Sequence, residues 1–250
     1  QRQMCIRDSP KPAKYPANGV FDRTNTVWVG DVKYKDISGP DGVPDGVIDD
    51  YDKTNIGSPM PKFTFGWTNT FRYKNFDLSV FINGSYGNKV YNYLSMKLTH
   101  MNSPWTNQLN AVNGRAQLVP INPNKVYEDG TMWYNDVSNV MVANPGASIP
   151  RATINDPNDN DRISDRYIED GSYIRLKNIS LGYTFPKKTI DKLGLSNLRI
   201  YANIQNLLTI TGYDGYDPEI GASTSSVNVY GLDNGRYPSP TVYSFGLNVS

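Results

Sequence analysis

From Lys62 to the last residue, apolar side chains return at every second position in five separate runs, and this alternation limits the fold more than any other feature of the chain. Phe63, Phe65, Trp67, Phe71 and Tyr73 share one parity, with Lys62, Thr64, Gly66, Thr68, Thr70 and Arg72 on the other. Successive side chains of an extended strand point to opposite faces, so a period of two predicts strands with one apolar and one polar face. After the short connection Lys74-Asn75, the residues Phe76, Leu78, Val80 and Ile82 alternate with Asp77, Ser79, Phe81 and Asn83, which completes a long hairpin. Alternation returns at Tyr173 and is cleanest where Ile179, Leu181, Tyr183 and Phe185 oppose Asn178, Ser180, Gly182 and Thr184. Pro186 to Asn197 reads as a polar connection holding one helical turn. Leu198, Ile200, Ala202 and Ile204 then oppose Arg199, Tyr201, Asn203 and Gln205. The fifth run sets Tyr243, Phe245, Leu247 and Val249 against Ser244, Gly246, Asn248 and Ser250.

Between these runs the connections alternate in length. They are short after the first and third strands and long after the second and fourth, at about 87–171 and 211–239. Loops of that size count against a compact soluble domain, whereas transmembrane barrels carry tight turns at one end and long loops at the other. Each strand approaches the roughly 9 to 11 residues that a tilted membrane-spanning strand needs, and aromatic residues collect toward strand ends. The expected fold is therefore all-β: five antiparallel strands forming part of a transmembrane barrel. The same periodicity also suits a secreted carbohydrate-binding β-sandwich with one buried and one wet face.

Composition agrees without deciding. Only 38% of the residues are hydrophobic, and no run approaches the roughly 18 to 20 apolar residues of a membrane helix. Barrel strands need apolar residues only at alternate positions, so low hydropathy leaves a barrel open. Lys and Arg (25) balance Asp and Glu (24), leaving no whole-chain field to attract nucleic acid. The single cysteine, Cys5, lies in Arg2-Gln3-Met4-Cys5-Ile6-Arg7-Asp8-Ser9, which resembles a translated sequencing adapter. Residues 1–9 are accordingly set aside as an artefact, and the chain is expected to be a gene fragment lacking its natural N-terminus.

Three stretches resemble signatures of the SusC/RagA family of TonB-dependent outer-membrane receptors. The first runs from Gly30-Asp31-Val32-Lys33-Tyr34-Lys35-Asp36 through Asp45-Gly46-Val47-Ile48-Asp49-Asp50 to Pro61-Lys62-Phe63-Thr64-Phe65-Gly66. The second is Phe76-Asp77-Leu78-Ser79-Val80-Phe81 with Gly84-Ser85-Tyr86-Gly87-Asn88. The third is Ser164 to Ile179, continued by Leu181-Gly182-Tyr183-Thr184-Phe185-Pro186, with Asn203 to Leu208 and Gly212 to Glu219 after it. The resemblance implies the C-terminal part of a plugged barrel of about 22 strands. It also implies a plug and a TonB-contacting segment elsewhere in the parent protein, and a SusD-like surface lipoprotein as lid. The cargo would be an oligosaccharide or oligopeptide, and no bond would be made or broken. By the same resemblance Arg199, Tyr201, Asn203 and Gln205 line the lumen or meet the plug. Family members end on an aromatic residue, so a chain stopping at Ser250 is expected to be cut short by about one residue.

Within the segment 10–61, read as an extracellular loop, Asp41, Asp45, Asp49 and Asp52 stand at positions 1, 5, 9 and 12 of a calcium-loop spacing, with Gly46 at the turn and a carbonyl from Val47. Val43 at position 3 is no ligand, and Asp36 replaces Asp41 as first ligand if the family's shorter loop carries an insertion here. The competing reading is a solvated acidic turn. Glu169 and Asp170 have no second carboxylate fixed at a catalytic distance, and are read as solvated loop ends. His100, the only histidine, is expected to be solvated too, which leaves little room for zinc chemistry or a catalytic triad. Trp105, Trp133, Tyr134, Tyr213 and Tyr216 are the loop aromatics that could stack on sugar rings or peptide side chains, against the alternative that each is structural.

Overall fold

The computed structural model describes residues 3–4, 27–219 and 230–250, so Cys5 and most of the adapter-like opening lie outside the described residues. The chain forms two compact units, one comprising Gln1–Ile56 and Tyr93–Tyr167, the other Gly57–Asn92 and Ile168–Ser250.

The second unit carries the five expected strands: β1 (Phe63–Tyr73), β2 (Phe76–Tyr86), β3 (Tyr173–Thr184), β4 (Leu198–Thr211) and β5 (Val242–Val249). They lie side by side in chain order, every neighbour antiparallel, as an up-and-down meander. At the tight end Tyr73 pairs with Phe76 across Lys74-Asn75, where Lys74 takes a left-handed φ of 53°. Hairpin turns of this length require such a conformation to match strand twist. The β3–β4 connection contains a helical turn, Lys187–Ile190, continued by a 3-10 turn, Asp191–Leu193, which Gly194 ends with a φ of 68°.

The register places the apolar parities on one face. Trp67, Ile82 and Leu176 follow one another across β1, β2 and β3, and Leu78, Leu181, Ala202 and Phe245 across β2 to β5. Thr70, Ser79, Ser180, Asn203 and Ser244 make the matching row on the other face. Two register slips meet at Lys177: it is an extra residue relative to β2, and it faces both Asn206 and Leu207 of β4. Asn206 has a φ of 52° there. Bulges of this kind bend the strand and reset its parity, which is why the apolar positions of β3 change from Ile174 and Leu176 to Ile179, Leu181 and Tyr183.

The apolar face is bare among the described residues. Trp67, Phe71, Leu181 and Leu247 are all exposed, and Phe245 is 82% exposed. At the long-loop end of the same unit, Lys89–Asn92 joins Ile168–Asp170 antiparallel and Leu232–Asp233 in parallel.

The first unit is built from the stretch read as one long loop with minor local structure, together with residues 27–56. It contains a helix, α1 (Tyr93–Thr99), and a short pairing of Leu118–Pro120 with Val140–Val142. Its apolar core is small: Trp28, Met96, Ala116, Val140, Ile149 and Tyr167. Asp31, Asn139, Arg151, Asp156, Asn158 and Asn160 are buried beside them.

Candidate functional sites

On the polar face of the sheet, Asp77 of β2 and Arg199 of β4 reach each other across β3, with N–O distances of 2.6 and 3.2 Å. Gly182 lies between them, and a Cβ there would overlap both the guanidinium and the carboxylate. Arg199 also stands 5.3 Å from the Tyr201 ring, and that ring occupies the space above Gly246. Small residues therefore make room for a charged and aromatic row. Asn178 and Asn203 on this face each keep a buried amide oxygen without a hydrogen-bond partner.

Nearer the long loops, Arg175 is almost fully buried on the polar face. Its Nε donates to Thr209 Oγ1 at 2.8 Å, Nη1 to Glu219 at 2.6 Å, and Nη2 to Asp217. Lys177 Nζ donates to the same Glu219 at 2.7 Å. Burial pushes the Asp217 carboxyl up, but the N–H groups of Ser239 and Glu219 and the Arg175 charge outweigh it and hold the group below the usual carboxylate range. Residues 217–219 are thereby fastened to the sheet. Glu169 and Asp170, expected to be solvated, are engaged as well: Glu169 accepts from Asn92 and from the Asp214 N–H, and Asp170 from Ser172 and Lys89.

In the loop-built unit, Arg151 makes a bidentate pair with Asp31 at 2.8 and 3.0 Å, the two side chains being 4% and 0% exposed. Asn160 donates to both Asp31 and Asp156, and its own Oδ1 accepts the Val32 N–H. The Asp- and Asn-rich segment around 155–161 lies within the stretch read as a long loop, yet it is a docked element of this core. His100 departs from expectation. It is 8% exposed, with Nε2 2.8 Å from Asp156 and Nδ1 3.2 Å from Asp161. These three residues are the one cluster of metal-ligand type among the described residues. Each ring nitrogen faces a different carboxylate, and a single ion could take only one of them, so the geometry suits a clamp holding residues 156–161 to the end of α1.

The calcium-like loop is held by backbone N–H groups that donate to its carboxylates. Gly46 N–H donates to Asp36 at 2.5 Å, and Asp52 accepts from Ile37, Ser38 and Asp49 N–H groups, so the loop closes on residues 36–38. Asp41 sits on an additional exposed turn closed by the bond from Gly42 N–H to Gly39 O. Asp36 Oδ1 is buried without a hydrogen-bond partner. Asp45 accepts from Val47 N–H and Asp49 from Tyr51 N–H, and no three of these carboxylates converge. Among the aromatics, Trp105 is 92% exposed and Tyr216 64% exposed. Trp133 and Tyr134 form an edge-on pair at 5.6 Å. Tyr213 is buried and donates its hydroxyl to Asp233 at 2.5 Å.

Sequence reasoning missed the Asp31–Arg151 and Arg175–Asp217–Glu219 groups as units. Their members lie inside the quoted signature stretches or, for Arg151, in a loop without a motif.

No protein-family model matches the chain. It is 35% identical over 209 residues to TonB-dependent receptor P3 of Formosa agariphila, an alignment covering 82% of this chain and 18% of that protein. Against TonB-dependent receptor SusC of Bacteroides thetaiotaomicron it is 28% identical over 207 residues, 82% of this chain and 16% of the other. Among solved structures it superposes on the RagAB peptide importer in the open-open state with a TM-score of 0.55 at 22% identity, over 84% of this chain and 19% of that one. This likeness shows the fold. The chain thus spans 20% or less of the length of these proteins.

Proposed function

The chain belongs to the SusC/RagA family of TonB-dependent outer-membrane receptors, and from that premise we propose that it forms a wall of an importer for oligosaccharides or oligopeptides. In this reading the parent barrel has about 22 strands, a SusD-like lipoprotein lids it, and TonB supplies energy through a part of the protein outside this chain. Transport, with no covalent chemistry, is the whole activity.

The observation that carries this is the bare apolar face of the five-strand sheet. At roughly 3.4 Å per residue an 11-residue strand is about 37 Å long. Tilted by about 40° it spans about 28 Å, close to the apolar band of roughly 25 Å of an outer-membrane barrel. Aromatic rows bound the face at both ends: Phe63 and Tyr86 lie 5.4 Å apart at the loop end, Phe76 and Tyr183 4.7 Å apart at the turn end. Leu78, Val80, Ile179, Leu181 and Ile204 lie between. This is the pattern of lipid contact with interfacial girdles. A secreted sandwich needs a second sheet over Trp67, Phe71 and Leu247, and among the described residues nothing covers them. The polar face then borders the lumen.

For calcium the reading is a structural site with Asp36 or Asp41, Asp45, the Val47 carbonyl, Asp49 and Asp52 as ligands, which the ion would have to draw together, since no three of these carboxylates converge here. It is supported by the motif spacing and by the unpartnered Asp36 Oδ1. Calcium titration of the parent receptor against an Asp36→Asn, Asp45→Asn variant checks it; identical heats from both would end the idea. Trp105 and Tyr216 are the aromatics with faces free to meet cargo.

The first test is expression of the full-length gene with its signal, envelope fractionation, and gel migration with and without boiling. A heat-modifiable outer-membrane band far larger than this chain is expected. A soluble product of about this size would return the lectin-like sandwich.

A further inference from the structure

The bulge in β3 brings two cations together on the polar face. Arg175 and Lys177 share the polar parity, and the extra residue at Lys177 turns Asn178 to that face as well. Their counter-ions come from outside the sheet, and the cluster has two halves of different access. The inner half is closed: Arg175 is 3% exposed, and both oxygens of Asp217 are filled, one by Arg175 and the Glu219 N–H, the other by the Ser239 N–H. The outer half is open. Lys177 and Glu219 are 32% and 36% exposed, and one carboxylate oxygen of Glu219 accepts from both Arg175 and Lys177. In the same strand register Asn83 pairs with Arg175, and its Oδ1 is buried without a hydrogen-bond partner.

A buried arginine needs one carboxylate to offset its desolvation, and Asp217 already supplies it. Glu219 is a second carboxylate, held at the accessible edge by charge-assisted bonds to two cations. We propose that Arg175 and Lys177 form a receiving site for the carboxylate of an acidic ligand, whether a uronic-acid sugar or a peptide C-terminus, and that Glu219 is the intramolecular competitor occupying it. The ligand's carboxylate replaces Glu219, while Arg175 keeps Asp217. Asn83 Oδ1 supplies an acceptor for the hydroxyl or amide N–H that both ligand types carry near the acid. The proposal rests on the transporter reading, since only then does the polar face border a substrate path.

The test uses the intact receptor that carries this chain, purified in detergent, with calorimetric titration of two probe pairs. One pair is tri-galacturonate and its methyl ester; the other is tetra-alanine and its C-terminal amide. Glu219→Gln is expected to tighten binding of the acidic member of one pair roughly ten- to hundredfold, leaving its neutral partner unchanged. Adding Lys177→Met removes the gain. Whichever pair responds identifies the source of the carboxylate. If Glu219→Gln alters only the protease sensitivity of residues 212–219 and no probe's affinity, Glu219 is a structural anchor and the proposal fails. Absence of any probe binding to the folded variants overturns it as well. Heat-modifiable migration of the same samples separates the two levels: its absence in the wild type sinks the transporter reading, and its retention without acid selectivity sinks only this site.

Discussion

In the sheet the largest apolar side chains stand outside, with Trp67, Phe71, Leu181, Phe245 and Leu247 all exposed. In the loop-built unit the most deeply buried positions include Asp31, Asn160, Arg151 and Asn139. The reversal follows from where each region finds partners for its backbone. Strands satisfy their N–H and C=O groups in the ladder, which frees their side chains to face hydrocarbon. Loops have no ladder, so Asp and Asn side chains supply the missing acceptors and donors from inside. The first solution needs lipid on one side. The second needs buried charges paired without remainder.

The largest expected effect breaks the second solution alone. Asp31→Ala leaves Arg151 buried without its bidentate partner, and breaking a buried pair in this way costs about 3–5 kcal/mol. Hydrogen exchange on the intact receptor should show protection lost in residues 27–56 and 93–167, with the strands retained. If the strands lose protection equally, the two regions are one cooperative unit and the contrast is false.

The next prediction addresses the sheet. Ile179 and Ser180 are neighbours near the middle of β3 with opposite facing. An arginine at a lipid-facing position near the bilayer midplane costs about 2–4 kcal/mol, so Ile179→Arg should lower stability in lipid vesicles by that amount. Ser180→Arg should cost far less. Denaturant unfolding of both variants measures the difference, and equal losses would mean the faces have been assigned the wrong way round.

Glycine substitutions sharpen the comparison at smaller scale. Gly182→Ala pushes a methyl group into the Arg199–Asp77 pair and should cost roughly 1–2 kcal/mol through the broken charged hydrogen bonds. Gly114, in the loop-built unit, has open space where its Cβ would lie, and Gly114→Ala should change stability by less than about 0.5 kcal/mol. Thermal melts of the pair would test this order.

These contrasts also explain what could be read in the sequence. Period two needs only residue types, so all five strands, their antiparallel order and the short and long connections were legible. The bulge at Lys177 left a trace too, since the apolar parity moves from Leu176 to Ile179. Asp31 and Arg151 left none. They are 120 residues apart, and a buried polar pair is specified by spatial adjacency that no local pattern encodes. His100 was read as solvated for the same reason: its carboxylate partners lie 56 and 61 residues away in a run whose composition suggests only a loop. The calcium-like spacing was visible. The closing bond from the Gly46 N–H to Asp36, ten residues back, was not, because spacing alone does not show on which side the loop shuts. The exposure of the aromatics was not legible either: Tyr213 is buried against Asp233, whereas Tyr216, three residues on, is exposed.

The smallest expected effect is one of pH, and its sign differs between the regions. Asp217 has a folded value below the ordinary 3.8, so its contribution is present above 3.8 and is lost as pH falls through the lowered value. Asp31 is the reverse: burial pushes its carboxyl above 3.8 against the pull of Arg151, so its contribution is complete below 3.8 and declines as pH rises through the lifted value. Single amides report each group, because Ser239 and Glu219 N–H donate to Asp217 and Trp28 N–H donates to Asp31. On acidification from neutral pH to below about 4, protection factors at Ser239 and Glu219 should fall while Trp28 keeps its own. Asp217→Asn should flatten the response at Ser239 and leave Trp28 untouched. A parallel fall at all three amides would show that acid acts through global unfolding, and the opposite shifts of the two carboxylates would then have no separate consequence.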